Sequence, residues 1–150
     1  LEGADSVSVQ RQHAKRILRM SPSIGGRLPA HAVSMGRVLL AGLPDEELVA
    51  RLQGLNPQRF TQHTTVAVAT LLERIRQART QGWCLINQEL EEGLISMAAP
   101  LTNRAGQTVA ALNISGQANR TSAEVMQATM LPALLKAART ISRLLSLQRN

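Results

Sequence analysis

The stretch WCLINQELEEGLISMAAPLTNRAGQTVAALNIS, residues 83–115, decides the fold. Three runs within it, 83–87, 92–99 and 107–115, read as strands bounded by polar or glycine-containing segments. The last two are joined by Asn103-Arg104-Ala105-Gly106, a hairpin turn. Both carry more small and apolar residues than a sheet with one wet face needs. The pattern therefore predicts a sheet covered on both sides. Asn113 and Ser115 are two residues apart and share a strand face, with Ser96 on the preceding strand across the hairpin.

Helices to cover such a sheet are legible on either side of it. Residues 33–42 (VSMGRVLLAG) read as a short helix with Gly42 just past its end. A second helix spans 44–53, with Pro44 at its first position and Asp45 and Glu46 favouring its dipole. Residues 55–66 are polar and loop-like. A third helix, about 67–81, presents Leu71, Leu72, Ile75 and Ala78 as one stripe and stops at Gly82. Downstream, Thr121-Ser122-Ala123-Glu124 reads as a capping box. The helix after it has Leu131, Leu134, Leu135, Ala138, Ile141, Leu144 and Leu145 at helical spacing, and Pro132 should kink or split it. Residues 5–11 alternate like a strand and 14–20 form a plausible second. A single α+β domain over residues 1–150 is the expected organisation.

With 44% apolar residues in 150, the chain can bury a real core. Its only aromatic residues are Phe60 and Trp83, so that core is aliphatic. The net charge of +7 invites a nucleic-acid reading, but the basic residues are spread along the whole chain. No aromatic platform interleaves with them, so a solvated basic surface is the expectation. Cys84 is the single cysteine, which excludes a disulfide framework or a thiolate metal cluster. No secretory signal and no apolar run of membrane-spanning length is present, so the expected setting is cytoplasmic, with no membrane partner. The chain opens with Leu1 and enters strand-like residues directly, and is read as a piece of a longer protein.

Catalytic constellations are not legible. His13, His31 and His63 lack a partner at zinc-ligand spacing, and no nucleophile elbow, phosphate loop or dinucleotide fingerprint occurs. Cys84 follows Trp83 in a strand and reads as an inert buried thiol. Glu89, Glu91 and Glu92 form an acidic cluster, read as a solvated connection between strands rather than acid/base machinery. The expectation is no enzyme, no cofactor and no metal site.

Three segments carry a resemblance: RLPAHAVSMGRVLLA (27–41), QELEEGLISMAAPL (88–101) and VAALNISG (109–116). In this order and spacing they resemble the C-terminal effector-binding domain of the IclR family of bacterial regulators. They look most like its aromatic-catabolism subgroup, which includes the PcaR, PcaU and PobR regulators. The resemblance implies a curved antiparallel sheet flanked by helices, GAF- or profilin-like, and assembly as a homodimer or tetramer. It also implies a preceding winged helix-turn-helix, absent from this chain, through which alone DNA would be bound.

The family's pocket lies between the sheet and the short helix after the Gly-Arg-Leu-Pro loop. Carried over by residue, its apolar wall is Ile17, Met20, Leu28 and Leu94, its helix start Ser34 and Met35, and its polar groups Ser96, Asn113 and Ser115. Amides at a helix start can hold a carboxylate, and neutral groups on an apolar sheet can read hydroxyl or keto oxygens. The implied effector is a small carboxylic acid such as protocatechuate, 4-hydroxybenzoate or 3-oxoadipate. Ile86 is a departure: members that bind small aliphatic acids carry an acidic residue there, which suits an aromatic or less hydroxylated effector here. Arg16 or Arg19 is the candidate countercharge. Two other readings stay open: an oligomerisation module with no ligand, and a small hydrolase or isomerase using His31, Glu89 or Cys84. In the first of these Ser96 and Asn113 are merely exposed or backbone-tied, and Met20, Met35 and Leu94 are plain core.

Overall fold

Residues 83–115 form the antiparallel sheet, in a computed structural model that describes residues 5–7 and 27–148, with side chains from 29 to 148. Strands β3 (Cys84–Asn87), β4 (Leu94–Thr102) and β5 (Thr108–Gln117) lie in the order β3-β4-β5. Two further strands, β1 (Asp5–Val7) and β2 (Arg27–Pro29), make a separate antiparallel pair. The helices are α1 (Ser34–Ala41), α2 (Asp45–Gln53), α3 (Val68–Gln81), α4 (Ala123–Thr129) and α5 (Leu131–Ser146). A 3-10 turn, Ala30–Ala32, leads from β2 into α1.

Register places Ser96 opposite both Ile86 and Ser115, and Ala98 opposite Cys84 and Asn113. Alternate residues therefore serve two interiors. On one face Cys84, Ile86 and Ala98 pack with Val38 and Leu40 of α1, Leu48 and Leu52 of α2, and Leu71 and Ile75 of α3. On the other, Ile95, Met97, Ala99 and Leu101 pack with Met126, Leu134 and Ala138 from α4 and α5. Both faces of β4 are covered, as its composition predicts, whereas β5, at the edge of the sheet, leaves Val109 and Asn113 exposed. Leu48, Leu71, Ile75, Ile95 and Met97 are each 0% exposed. Each such side chain stabilises the fold by roughly 1.5–3 kcal/mol relative to its exposed state.

Local chemistry explains most boundaries. Gly82 ends α3 at φ +86°, a left-handed conformation that costs glycine least. Asn103 organises the β4–β5 turn by accepting the amides of Ala105 and Gln107, each at 3.0 Å. Gly36 permits a backbone crossing: a Cβ there would lie 2.4 Å from the Ala30 carbonyl oxygen, so α1 touches the 3-10 turn through bare backbone.

Several sequence expectations shift. Strand β4 continues through Pro100 to Thr102, because a proline can occupy a ladder site that needs no amide donor. Pro44 precedes α2 as its cap residue instead of opening it. Pro132 splits the C-terminal helix into α4 and α5, as expected. The cap of α4 is Ser122, whose Oγ accepts the Val125 amide at 3.1 Å. The box read from Thr121 to Glu124 therefore gives way to a one-sided serine cap one residue later. The strand expected over 14–20, and Ile17 and Met20 with it, lies outside the described residues, as does most of 5–11.

Candidate functional site

Helix α1 opens against the sheet. Its N-cap is Val33, which has an extended backbone and no side-chain cap to offer, so the first-turn amides have no capping partner from that residue. Ser34 is 2% exposed and its Oγ lies 2.9 Å from the Oγ of Ser96, which is 8% exposed. Two neutral hydroxyls thus meet at a helix start, on a sheet face whose neighbours Ile86 and Ala98 are buried and apolar. Ser115 pairs with Ser96 across the ladder, and Asn113 donates from Nδ2 to Ser115 Oγ at 3.3 Å. Asn113 is exposed and Ser115 half-buried.

The structure thus brings Ser34, Ser96, Asn113 and Ser115 to one side of the sheet. Leu94 is half-buried and shares that face of β4 by alternation. Met35 is half-buried and packs against the cluster that α1, α2 and α3 form with Ile86 and Ala98 of the sheet. Leu28 is described only by its backbone, in β2 opposite Ser6. Two cavities of about 420 and 590 Å³ both border Gly82 and Pro100, toward the other end of β4, and neither includes Ser34 or Ser96.

Arg37 is a functional candidate that sequence reasoning missed, and its partner Glu89 was singled out there only for acid/base chemistry. Arg37 is 1% exposed, and its Nη2 donates to Glu89 Oε1 at 2.6 Å. Glu89 is itself buried, which corrects the reading of the acidic cluster as a solvated connection. The same Oε1 accepts the Thr65 amide at 2.8 Å, and the Glu89 carbonyl accepts Thr64 Oγ1 at 2.6 Å. Burial alone would push the Glu89 carboxyl up. The Arg37 charge and hydrogen bonds from Arg37 and Thr65 outweigh that and hold it below its ordinary value. A sequence signal existed for the arginine: Arg37 is the one charged residue between His31 and Asp45, followed at once by the apolar run Val38–Ala41. Cys84 is buried, and burial pushes its thiol up to about 11, so it is no nucleophile.

The helix start thus faces neutral hydroxyls on an aliphatic sheet, and among the described residues no nucleophile and general base are partnered beside them. Residues 1–143 match the family model described as bacterial transcriptional regulator IclR C-terminal. The chain therefore belongs to the IclR family of bacterial transcriptional regulators. It is 39% identical over 142 residues to the Pca regulon regulatory protein of Pseudomonas putida, covering 94% of this chain and 49% of that protein. A transcriptional regulator structure from Rhodococcus sp. RHA1 superposes with a TM-score of 0.93 at 49% identity, covering 97% of this chain and 58% of that one. The inducer-binding domain of Acinetobacter PobR, a double mutant in complex with 3-hydroxybenzoic acid, superposes with a TM-score of 0.86 at 34% identity, covering 96% of this chain and 85% of that one. The chain spans about half the length of the curated relatives it matches. These relatives are named as regulators, which places the chain among transcription regulators and not enzymes. Among the described residues no helix is long and apolar enough to cross a membrane.

Proposed function

We propose that residues 1–150 form an effector-sensing domain that binds a small aromatic or oxo carboxylic acid beside Ser34 and Ser96. Binding would alter the arrangement of protomers and thereby DNA binding by a winged helix-turn-helix domain of the full-length regulator. The observation that carries the reading is the buried pair of hydroxyls at the open start of α1. Such a start favours a carboxylate, and Ser115 and Asn113 on the same face offer hydrogen bonds to ring hydroxyl or keto oxygens. Ile86, buried opposite Ser96, gives that corner an aliphatic wall suited to an aromatic ring. The likeness to a PobR domain complexed with 3-hydroxybenzoic acid supports the same class of effector. Leu94, and by family resemblance Ile17, Met20, Leu28 and Met35, complete the proposed lining. The setting is cytoplasmic and the assembly a homodimer or tetramer.

Calorimetry with 3-hydroxybenzoate, 4-hydroxybenzoate, protocatechuate and 3-oxoadipate tests the reading. At least one acid should bind, and S34A should weaken that acid by about tenfold, the effect of losing one hydrogen bond of about 1.4 kcal/mol. A folded chain that binds none of the four overturns it. A second reading, assembly without a ligand, is favoured by Leu144 and Leu147, which are 61% and 74% exposed on and just beyond α5. Sedimentation of the chain with and without acid separates the two: a ligand-independent oligomer that also binds no acid supports assembly alone.

A further inference from the structure

Arg37 has no packing reason to be charged. Its neighbours on the inward side of α1 are Val38, Leu40 and Ala41, all buried. Its guanidinium is nonetheless fixed at two ends: Nε donates to the His31 carbonyl at 2.9 Å, and Nη2 donates to Glu89 at 2.6 Å. The first bond folds the side chain back over the turn that delivers the backbone to Ser34. The second ties that turn to the β3–β4 connection. Glu89 then holds Thr65 and Thr64, and the Gln88 carbonyl accepts Thr61 Oγ1 at 2.6 Å, so the 61–65 loop joins the same cluster. His31 completes the ring, with its Nε2 2.9 Å from the Gln58 carbonyl and its ring 5.7 Å from that of Phe60.

Arg37 is taken up by the His31 carbonyl and by Glu89, whose carboxylate counters its charge and also lies 3.9 Å from Nη1 of the half-exposed Arg74. The arginine is therefore not the group that meets an effector's carboxylate. What it determines is where the helix starts. With Val33 giving no cap and Gly36 pressed on Ala30, the first turn takes its orientation from the bonds Arg37 makes, together with the contact of Ser34 Oγ with Ser96 Oγ. A buried ion pair is commonly replaceable by apolar residues of similar volume without loss of stability, so directional geometry is what such a pair supplies.

We propose that Arg37 and Glu89 are a positioning pair for the sensing site. They hold the first turn of α1, with Ser34 and its amides, at the placement against Ser96 that acid recognition needs, without touching the acid. This rests on the acid-sensing reading above. The test compares the wild-type 150-residue chain with R37M/E89L by urea denaturation, by hydrogen exchange of the 34–37 amides and by calorimetry with the four acids.

The double variant should lose some stability, because the His31 carbonyl and the Thr65 amide are left without their partners, and is therefore compared under conditions where it is fully folded. Its first-turn amides should exchange at least about tenfold faster, and its affinity should fall by about tenfold or more. A folded double variant with unchanged first-turn exchange and unchanged affinity would mean a merely structural pair and overturn the proposal. Should R37M/E89L not fold, R37K decides: lysine keeps the charge opposite Glu89 but donates from a single nitrogen in place of the separate Nε and Nη2 that reach His31 and Glu89, so the same two losses are expected and their absence refutes. If the wild type binds none of the acids, the sensing reading fails by itself, and the exchange rates still report whether the pair orients α1.

Discussion

Replacing Gly36 by alanine should damage this domain, whereas the same change at Gly54 should help it. Both glycines sit in or beside helices with right-handed backbone, so any difference must come from space. At Gly36 the added Cβ would stand 2.4 Å from the Ala30 oxygen and 2.5 Å from its Cα, against 3.4 Å for ordinary contact. The helix and the 3-10 turn must part by about 1 Å, and both surfaces are backbone, so no rotamer change absorbs the clash. Overpacking of this kind costs typically 1–3 kcal/mol, here toward the upper end. Alanine returns about 1 kcal/mol of helix propensity, leaving a net loss of about 2 kcal/mol. For a domain of this size that lowers Tm by about 4–8 °C. At Gly54 the nearest atoms to the new Cβ are 3.8 Å away and φ is −85°, so G54A should gain about 0.4–1 kcal/mol. Thermal melts followed by far-UV circular dichroism, with urea midpoints alongside, measure both. A G36A protein as stable as wild type would refute the claim that α1 meets the turn through bare backbone.

Three further outcomes are expected from side-chain contacts of the domain. S34A or S96A leaves the other hydroxyl buried and alone, costing about 1–3 kcal/mol each, while the double variant should cost clearly less than the two together, as a urea double-mutant cycle would show. Asp45 is held at about 2, from its ordinary 3.8, by hydrogen bonds from Arg76 and then Arg79. Its depressed carboxyl contributes stability that is present above pH 3.8 and is lost as pH falls toward 2, so D45N should flatten the pH dependence of stability in that window and leave the rest of the profile alone. Cys84 should resist alkylation at pH 8 in the native chain and react at once in denaturant, which mass spectrometry would read.

Those features were not equally visible in the primary structure. Helix α3 is legible to within a residue because its stripe and its stop, Gly82, are both local signals. The strand ends are less so. β4 passes through Pro100 and β5 runs on to Gln117 because pairing between strands, rather than composition, decides where a ladder ends. The hydroxyl pairing of Ser34 with Ser96 joins residues 62 apart, and only the resemblance put both in one place. Glu89 was obscured by Glu91 and Glu92 beside it, since its distinguishing partner lies 52 residues away. Arg37 was obscured in the same way by the sixteen other basic residues of the chain. Long-range ion pairs leave no periodic mark, so burial was the property that sequence reading assigned least well.

The alternation along β4 has a further meaning for how such a domain diversifies. Ser96 and Ala98 belong to the side of α1, while Ile95, Met97 and Ala99 belong to that of α5. The strand is a partition one residue thick. Exchanging side chains on its serine-bearing side can change the chemistry presented to α1 without disturbing whatever rests on α5. Loss of a single residue within the strand would swap the two sides and spoil both at once. Divergence along this segment should therefore proceed by substitution and spare its length.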